Sequence, residues 1–316
     1  MRANKVDFFV VGVQKCGTTT LHEWLKKSAE IVLPREKETR FFLDEEIFSR
    51  GDEWYFSQFT KVRSTTKIIG EIDPDYIYCA ESYARIAQFA KAPKFIIVLR
   101  DPISRAKSHY QMSVLRGYEP LAFSDALIAE SSRLAKGDQF SIDHHSYLDR
   151  GLYAKQIERI QGAFPSSRFL ILLFDDLFSS QDGANDSMQK ICEFLGVDNS
   201  LNTIDVEKKE NQAAEPRSIM FRDFMYGNGR VKAILSGVIP TSDLRRRVKV
   251  SLNRWNARAI PDHEERRYEN IKQNVPSFVY EALIDDLLKL EKLVDLDFSR
   301  WIGEYRAQLQ ERGAWQ

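Results

Sequence analysis

The sequence predicts a three-layer α/β/α fold around a short central parallel sheet of four or five strands. Three observations lead there. Apolar, β-branched runs recur along the first 200 residues, patterns of helical period lie between them, and polar or proline-bearing loops separate the two. Strands that alternate with helices need crossover connections, which make the sheet parallel and cover both of its faces. Val6 to Val13 is the first apolar run. Gln14 to Thr19 is a small polar loop, and Leu21, Trp24 and Leu25 then fall at helical spacing. Lys67 to Glu71 is the second strand, closed by Pro74. Lys94 to Leu99 is the clearest strand; it ends at Arg100-Asp101-Pro102, where proline suits the first turn of a helix. Arg168 to Phe174 is the fourth. Helices are expected at about 80–91, 103–116, 123–132, 151–163 and 186–195. After Gly196 no strong strand pattern returns, and 216–226, 243–257 and 277–296 read as helices. The expectation is one domain over 1–316, with an α/β core in 1–200 and a mostly helical part in 201–316.

Composition narrows the class. With 43% hydrophobic and 29% charged residues, the 316-residue chain has the make-up of a globular protein, which argues against disorder, collagen or coiled coil. Lys+Arg and Asp+Glu are both 46, so no global field draws nucleic acid or a membrane surface. Any anion site has to be built locally. Cys16, Cys79 and Cys192 are too few and too scattered for a disulfide framework or a zinc site, and suit a reducing compartment. The N-terminal run reads as a strand, not a leader, and no apolar run reaches membrane-spanning length. A cytoplasmic protein with no nucleic-acid partner and no transmembrane segment is expected.

Two loops carry the chemistry. Gly12-Val13-Gln14-Lys15-Cys16-Gly17-Thr18-Thr19-Thr20 joins a first strand to a helix. A glycine-bearing loop there turns backbone N–H groups toward an anion, and the helix N-terminus adds partial positive charge. Gly12 and Gly17 have the P-loop spacing GxxxxG, but Thr18 stands where that motif needs lysine, which has moved into the loop as Lys15. The second is Leu99-Arg100-Asp101-Pro102 and on to Ser108, two helical turns later. Arginine forks onto phosphate and a serine hydroxyl donates to it. A P-loop-like kinase using ATP and magnesium, with Asp175 and Asp176 as its acidic strand end, is the rival enzyme. A non-catalytic nucleotide-binding module is the rival binding protein.

With these residues in view, the chain resembles the sulfotransferases that use PAPS (3′-phosphoadenosine 5′-phosphosulfate), nearly end to end. VGVQKCGTTTL is similar to that family's 5′-phosphosulfate loop, and VLRDPISRAKSHY to its 3′-phosphate motif. KETRFF, GEIDPDYIY, YLDRGLYAKQIERIQGAFP, CEFLGV, EPRS and LEKLVDLDFSRW are weaker marks of the same likeness, which is closest to the glycan-modifying and bacterial small-molecule branches. The resemblance implies a P-loop-NTPase-like fold, PAPS as donor with PAP as product, no metal, and a small-molecule, natural-product or carbohydrate acceptor. It implies that Lys15 binds the phosphosulfate bridge, that Cys16, Gly17, Thr18, Thr19 and Thr20 complete the 5′ cradle, and that Arg100 and Ser108 hold the 3′-phosphate. It places Glu38 as the catalytic carboxylate, Glu71 as the other candidate base facing the same cleft, Tyr153 near the adenine, and Arg217 and Ser218 in a loop closing over the nucleotide.

Two features depart from the likeness. Ile72 stands where the heparan-type motif Glu-Lys-Thr-Pro carries a functional lysine, which points to a different acceptor site. Cys16 reads as a small space-filler, because sulfuryl transfer needs no covalent enzyme intermediate. His22, His109, His144 and His145 read as packing or loop residues without companion metal ligands, with the His144-His145 loop a minor candidate for the acceptor entrance. Trp54, Tyr55, Phe56 and Phe59 read as core before sugar platform, and Arg245 to Arg247 as a solvated helix face.

Overall fold

The computed structural model describes residues 5–60, 62–198, 214–216, 257–259 and 275–313. The chain forms two compact units that alternate along the sequence. The first takes residues up to 101, 152–210 and 284–302; the second takes 102–151, 211–283 and 303 onward.

The first unit holds a five-stranded sheet: β1 Phe8–Gly12, β2 Ile31–Val32, β3 Ile68–Ile72, β4 Lys94–Leu99 and β5 Arg168–Leu173. The order is β2-β3-β1-β4-β5 and every pairing is parallel. β1 and β3 are buried along their whole length, as strands covered on both faces are, with Glu71 the charged residue within β3. Gly70 is needed for this register: it pairs with Phe8, and a Cβ there would meet the Phe8 ring at 2.1 Å. β2 has two residues, too short for any periodicity to show in the sequence. The chain passes from β1 to β2 and β3 on one side, then to β4 and β5 on the other. Such a switch of direction is where ligands bind at the carboxyl ends of parallel strands.

The same unit contains α1 Thr18–Leu25, the short α2 Glu45–Phe48 and α3 Gly51–Ser57, and α4 Glu81–Phe89. An aromatic cluster packs among them. Phe41 stacks on Tyr55 at 4.4 Å between centroids and meets Phe89 edge-on at 5.3 Å, while Phe42 meets Phe9 edge-on at 5.8 Å. Both phenylalanines are fully buried, each burial stabilising by about 1.5–3 kcal/mol. That cluster anchors the loop carrying Lys37 to Arg40.

The second unit contains α5 Pro102–Leu115, α6 Phe123–Leu134 and α7 Gln139–His144. Glu119, buried, pairs with Arg133 and accepts the Tyr147 hydroxyl at 2.9 Å. Glu130 accepts the main-chain N–H groups of Leu148 at 2.7 Å and Asp149 at 2.8 Å.

The first unit is completed by α8 Tyr153–Ala163, α9 Phe174–Phe178 and α10 Gln181–Leu195. β6 Ala214–Pro216 and β7 Ala257–Ala259 form an antiparallel pair in the part expected to be mostly helical; three-residue strands leave no period to detect. Apart from Pro216 and Ala257, the helices expected at 216–226 and 243–257 lie outside the described residues, as do Arg217, Ser218 and Arg245 to Arg247. The helix expected at 277–296 stops earlier, giving α11 Ser277–Leu290, with α12 Ser299–Glu311 after it.

Candidate active site

β1 delivers the Lys15 loop to the carboxyl edge of the sheet. The Val13 N–H donates to Val98 O of β4 at 3.0 Å, fixing where the loop begins. Lys15 and Gly17 both adopt left-handed backbone, φ 73° and 75°. At Gly17 only glycine fits, because a Cβ would meet the Phe178 ring at 2.3 Å as well as carrying the positive φ. Gly17 is also the N-cap of α1, with no side chain to cap the helix, and the first turn of α1 carries no acidic residue. The first-turn amides of a helix have no partner within it, so this end of α1 suits an anion. Lys15 and Thr19 are half-buried beside it, and Thr18 and Thr20 are buried.

Cys16 turns away from this cradle. It is fully buried, its N–H donates to Val13 O at 3.1 Å, and its thiol faces Gln14 O at 4.0 Å. The thiol fills space inside the loop. The N–H is already engaged in the loop's own turn.

Arg100 closes β4 against the same loop. Its guanidinium donates to Lys15 O at 3.3 Å and lies over the Phe174 ring at 4.4 Å. Tyr153 packs against the end of β4. It is fully buried and its hydroxyl donates to Arg100 O at 2.8 Å, so it positions the end of β4. Asp286 of α11 then holds Tyr153, accepting the N–H groups of Tyr153 at 2.6 Å and Ala154 at 3.1 Å in place of a local N-cap for α8. Ser108 is half-buried on α5 in the second unit.

The carboxylates stand at the end of β3. Glu38 has φ 64° and Arg40 φ 57°; with Lys15 they are the non-glycine residues of positive φ among the described residues. Such backbone costs about 1–3 kcal/mol each and gathers at functional sites. The Glu38 N–H donates to Ile72 O at 3.2 Å. Its side chain is 43% exposed and paired with Lys37. It is thus more open than the partial burial that suits a base.

Glu71 faces the interior, not the cleft. It is fully buried and accepts the hydroxyls of Thr39, of Tyr55 at 2.5 Å and of Tyr76 at 3.0 Å. Burial pushes its carboxyl up, and the three hydroxyl donors pull part of that shift back. Thr39 joins the two carboxylates: its hydroxyl serves Glu71 and its neighbour is Glu38. Tyr55, expected in the core, is there. Its hydroxyl role was invisible because Thr39, Tyr55 and Tyr76 are remote from one another in sequence.

The remaining candidates resolve into packing. His109 and His145 are buried, facing Asp143 O at 3.2 Å and Tyr118 O at 3.1 Å. His144 stacks near Tyr118 at 4.4 Å, and burial lowers its imidazole to about 4. His22 is buried in α1, not on the surface, with Nδ1 at 3.1 Å from Glu23. Asp175 faces Arg300 at 3.7 Å.

With this geometry in view, comparison with known proteins decides the family. The sulfotransferase domain family matches residues 5–216. The chain belongs to that family. It is 32% identical over 199 residues to the mouse (Mus musculus) bifunctional heparan sulfate N-deacetylase/N-sulfotransferase 4, covering 60% of this chain and 22% of the relative. It is 36% identical over 111 residues to the membrane-associated sulfotransferase kil1 of Dictyostelium discoideum, covering 34% of this chain and 23% of the relative. The mouse heparan sulfate glucosamine 3-O-sulfotransferase 3B1 is 28% identical over 188 residues, with 60% of this chain and 45% of the relative covered. The chain therefore spans less than half the length of these curated relatives. A solved sulfotransferase from Alicyclobacillus acidocaldarius shares the fold, with a TM-score of 0.62 at 22% identity, covering 95% of this chain and 99% of that one. The sulfotransferase match covers both loops singled out above, and the kinase reading gives way to it.

Proposed function

We propose that this sulfotransferase transfers a sulfuryl group from PAPS to a hydroxyl or amine of a small-molecule, natural-product or carbohydrate acceptor. The observation that supports the reading is the bond from the Arg100 guanidinium to the Lys15 main-chain O, which brings the end of β4 against the Lys15 loop. The cradle suits a phosphosulfate: a lysine, threonine hydroxyls, and a helix N-terminus without an acidic residue. From the sequence motif, Ser108 joins Arg100 on the 3′-phosphate, and Arg217 and Ser218 come from the later loop.

Transfer is an in-line displacement. The acceptor oxygen or nitrogen forms a bond to sulfur as the bond from sulfur to the bridging phosphate oxygen breaks. The electron pair of the broken bond stays on that oxygen, now part of PAP, and the Lys15 ammonium stabilises the charge gathering there. The acceptor's proton passes to the Glu38 carboxylate. Glu38 is favoured over Glu71 because both Glu71 oxygens already accept hydroxyls, whereas the Glu38 side chain is 43% exposed. Glu71 positions Thr39, and through it Glu38. The cysteines, all free thiols, fit a cytoplasmic setting.

Glu38→Gln tests the assignment. Turnover should fall by about 100-fold or more, the usual contribution of a positioned base, while PAP affinity stays within about twofold. Near-normal turnover would remove Glu38 from the role.

A further inference from the structure

Asp73 stands one residue past β3, in the turn leaving the carboxyl edge of the sheet. Its main-chain N–H donates to Val10 O of β1 at 3.1 Å, so the turn sits beside the strand that launches the Lys15 loop. Its side chain is almost wholly enclosed, with the residue 1% exposed. Oδ1 accepts the Asp75 N–H at 3.1 Å. Among the described residues, Oδ2 is buried and has no hydrogen-bond partner. An unmet buried polar atom costs about 1–3 kcal/mol, so a native fold keeps one only where something completes it.

The surroundings say what completes it. Gln14 Nε2 donates to Asp75 Oδ1 at 3.3 Å. A carboxylate only accepts, so this bond fixes the amide with Oε1 turned the other way, where it too is buried without a partner among the described residues. Two unmet oxygens thus flank Asp75. The carboxylates of Asp75, Glu38 and Glu71 act on Asp73. Lys37 pairs with Glu38 and Arg40 faces Asp75 at 3.8 Å, while Glu71 has its three hydroxyls. Asp73 Oδ2 has no such complement. A completing group has to bring N–H or O–H donors. Positive charge on it is attracted by the neighbouring carboxylates, and a polyanion is repelled.

We propose that Asp73 is an acceptor-binding, specificity-determining residue: its Oδ2 accepts a hydrogen bond from an amine-bearing acceptor and, with Glu38 and Asp75, selects such acceptors over polyanionic glycans. The proposal rests on the sulfotransferase reading above and names the acceptor class for that site. Burial, with Asp75, Glu38 and Glu71 nearby, holds the Asp73 carboxyl well above the usual carboxylate range. An ammonium group at Oδ2 offsets the negative charge crowded there.

The test uses the full chain, radiolabelled PAPS and three probes: the aminoglycoside kanamycin, a chitosan oligosaccharide, and N-sulfated heparosan as polyanion. Label should pass to an amine-bearing probe and not to N-sulfated heparosan. Asp73→Ala should raise KM for that probe at least about tenfold, with kcat within about threefold and PAP affinity within about twofold. Asp73→Asn keeps an oxygen for the Asp75 N–H and a neutral side chain. It should recover the fold and part of the KM, and carries the test if the alanine variant is unstable. Transfer confined to N-sulfated heparosan, transfer to neither amine-bearing probe, or an unchanged KM in both variants would overturn the proposal. Failure of the wild-type chain to bind PAP is a separate readout, and would bring down the sulfotransferase chemistry beneath it.

Discussion

Glu38 and Glu71 lie on adjoining segments and meet opposite environments. Glu38 is held out on left-handed backbone, paired with Lys37 and open to solvent. Glu71 is sealed among Thr39, Tyr55 and Tyr76. Glu71→Ala leaves three hydroxyls without their acceptor and opens a void. It should destabilise the protein by about 3–5 kcal/mol, read from urea unfolding at neutral pH. Glu71→Gln should cost less, since its carbonyl still accepts one hydroxyl. A loss below about 1 kcal/mol for the alanine variant would contradict the caged carboxylate. At this scale the sequence was legible for side chains whose role is local. Lys15 and Arg100 could be picked out because loop and strand-end motifs name them. The directions of Glu71, Tyr153 and Cys16 were not legible. Each is set by partners distant in the chain or by a backbone turn: Tyr55 and Tyr76 for Glu71, Arg100 for Tyr153, Val13 for Cys16.

Strands β1, β3, β4 and β5 could be read from the sequence because each carries a mostly apolar run of five or six residues, as strands of a parallel sheet do. β2, β6 and β7, two or three residues each, carry no such signal. Asp44, Asp138 and Ser180 cap α2, α7 and α10 locally, but the start of α8 depends on a cap from elsewhere, Asp286 of α11. Glu130 of α6 plays a similar part for the Leu148 and Asp149 amides, and it titrates in an accessible range. Burial pushes its carboxyl from 4.5 up to about 7, against the pull of those two amides. The folded state then holds a proton between about pH 4.5 and 7 that the unfolded state has released. Stability from this site is full below that window and falls as pH rises through it, by about 3 kcal/mol. Urea unfolding at pH 5 and pH 8 should show Glu130→Gln with a smaller loss on going to pH 8 than the wild-type chain. An equal loss in both would contradict the assignment.

Across the whole molecule, equal numbers of acidic and basic residues leave no global field, so anion binding has to come from local geometry. The Lys15 loop, the α1 N-terminus and Arg100 lie together at the carboxyl end of the central strands, where that binding is proposed. The three-layer class and the parallel sheet were readable because both follow from the strand–helix alternation. The division into two units was not, since 102–151 and 152–210 fall in different units with no change of composition between them. The acceptor class was not readable from motifs either. Asp73 looks like an ordinary turn residue in sequence, and only its burial and its unmet oxygen mark it. The most direct test of the central claim is calorimetric titration of the full chain with PAP, beside ATP and ADP with and without magnesium. Micromolar PAP binding that needs no metal, and is lost in Arg100→Ala, is the predicted result. Preference for ATP with magnesium, with indifference to the 3′-phosphate, would contradict it.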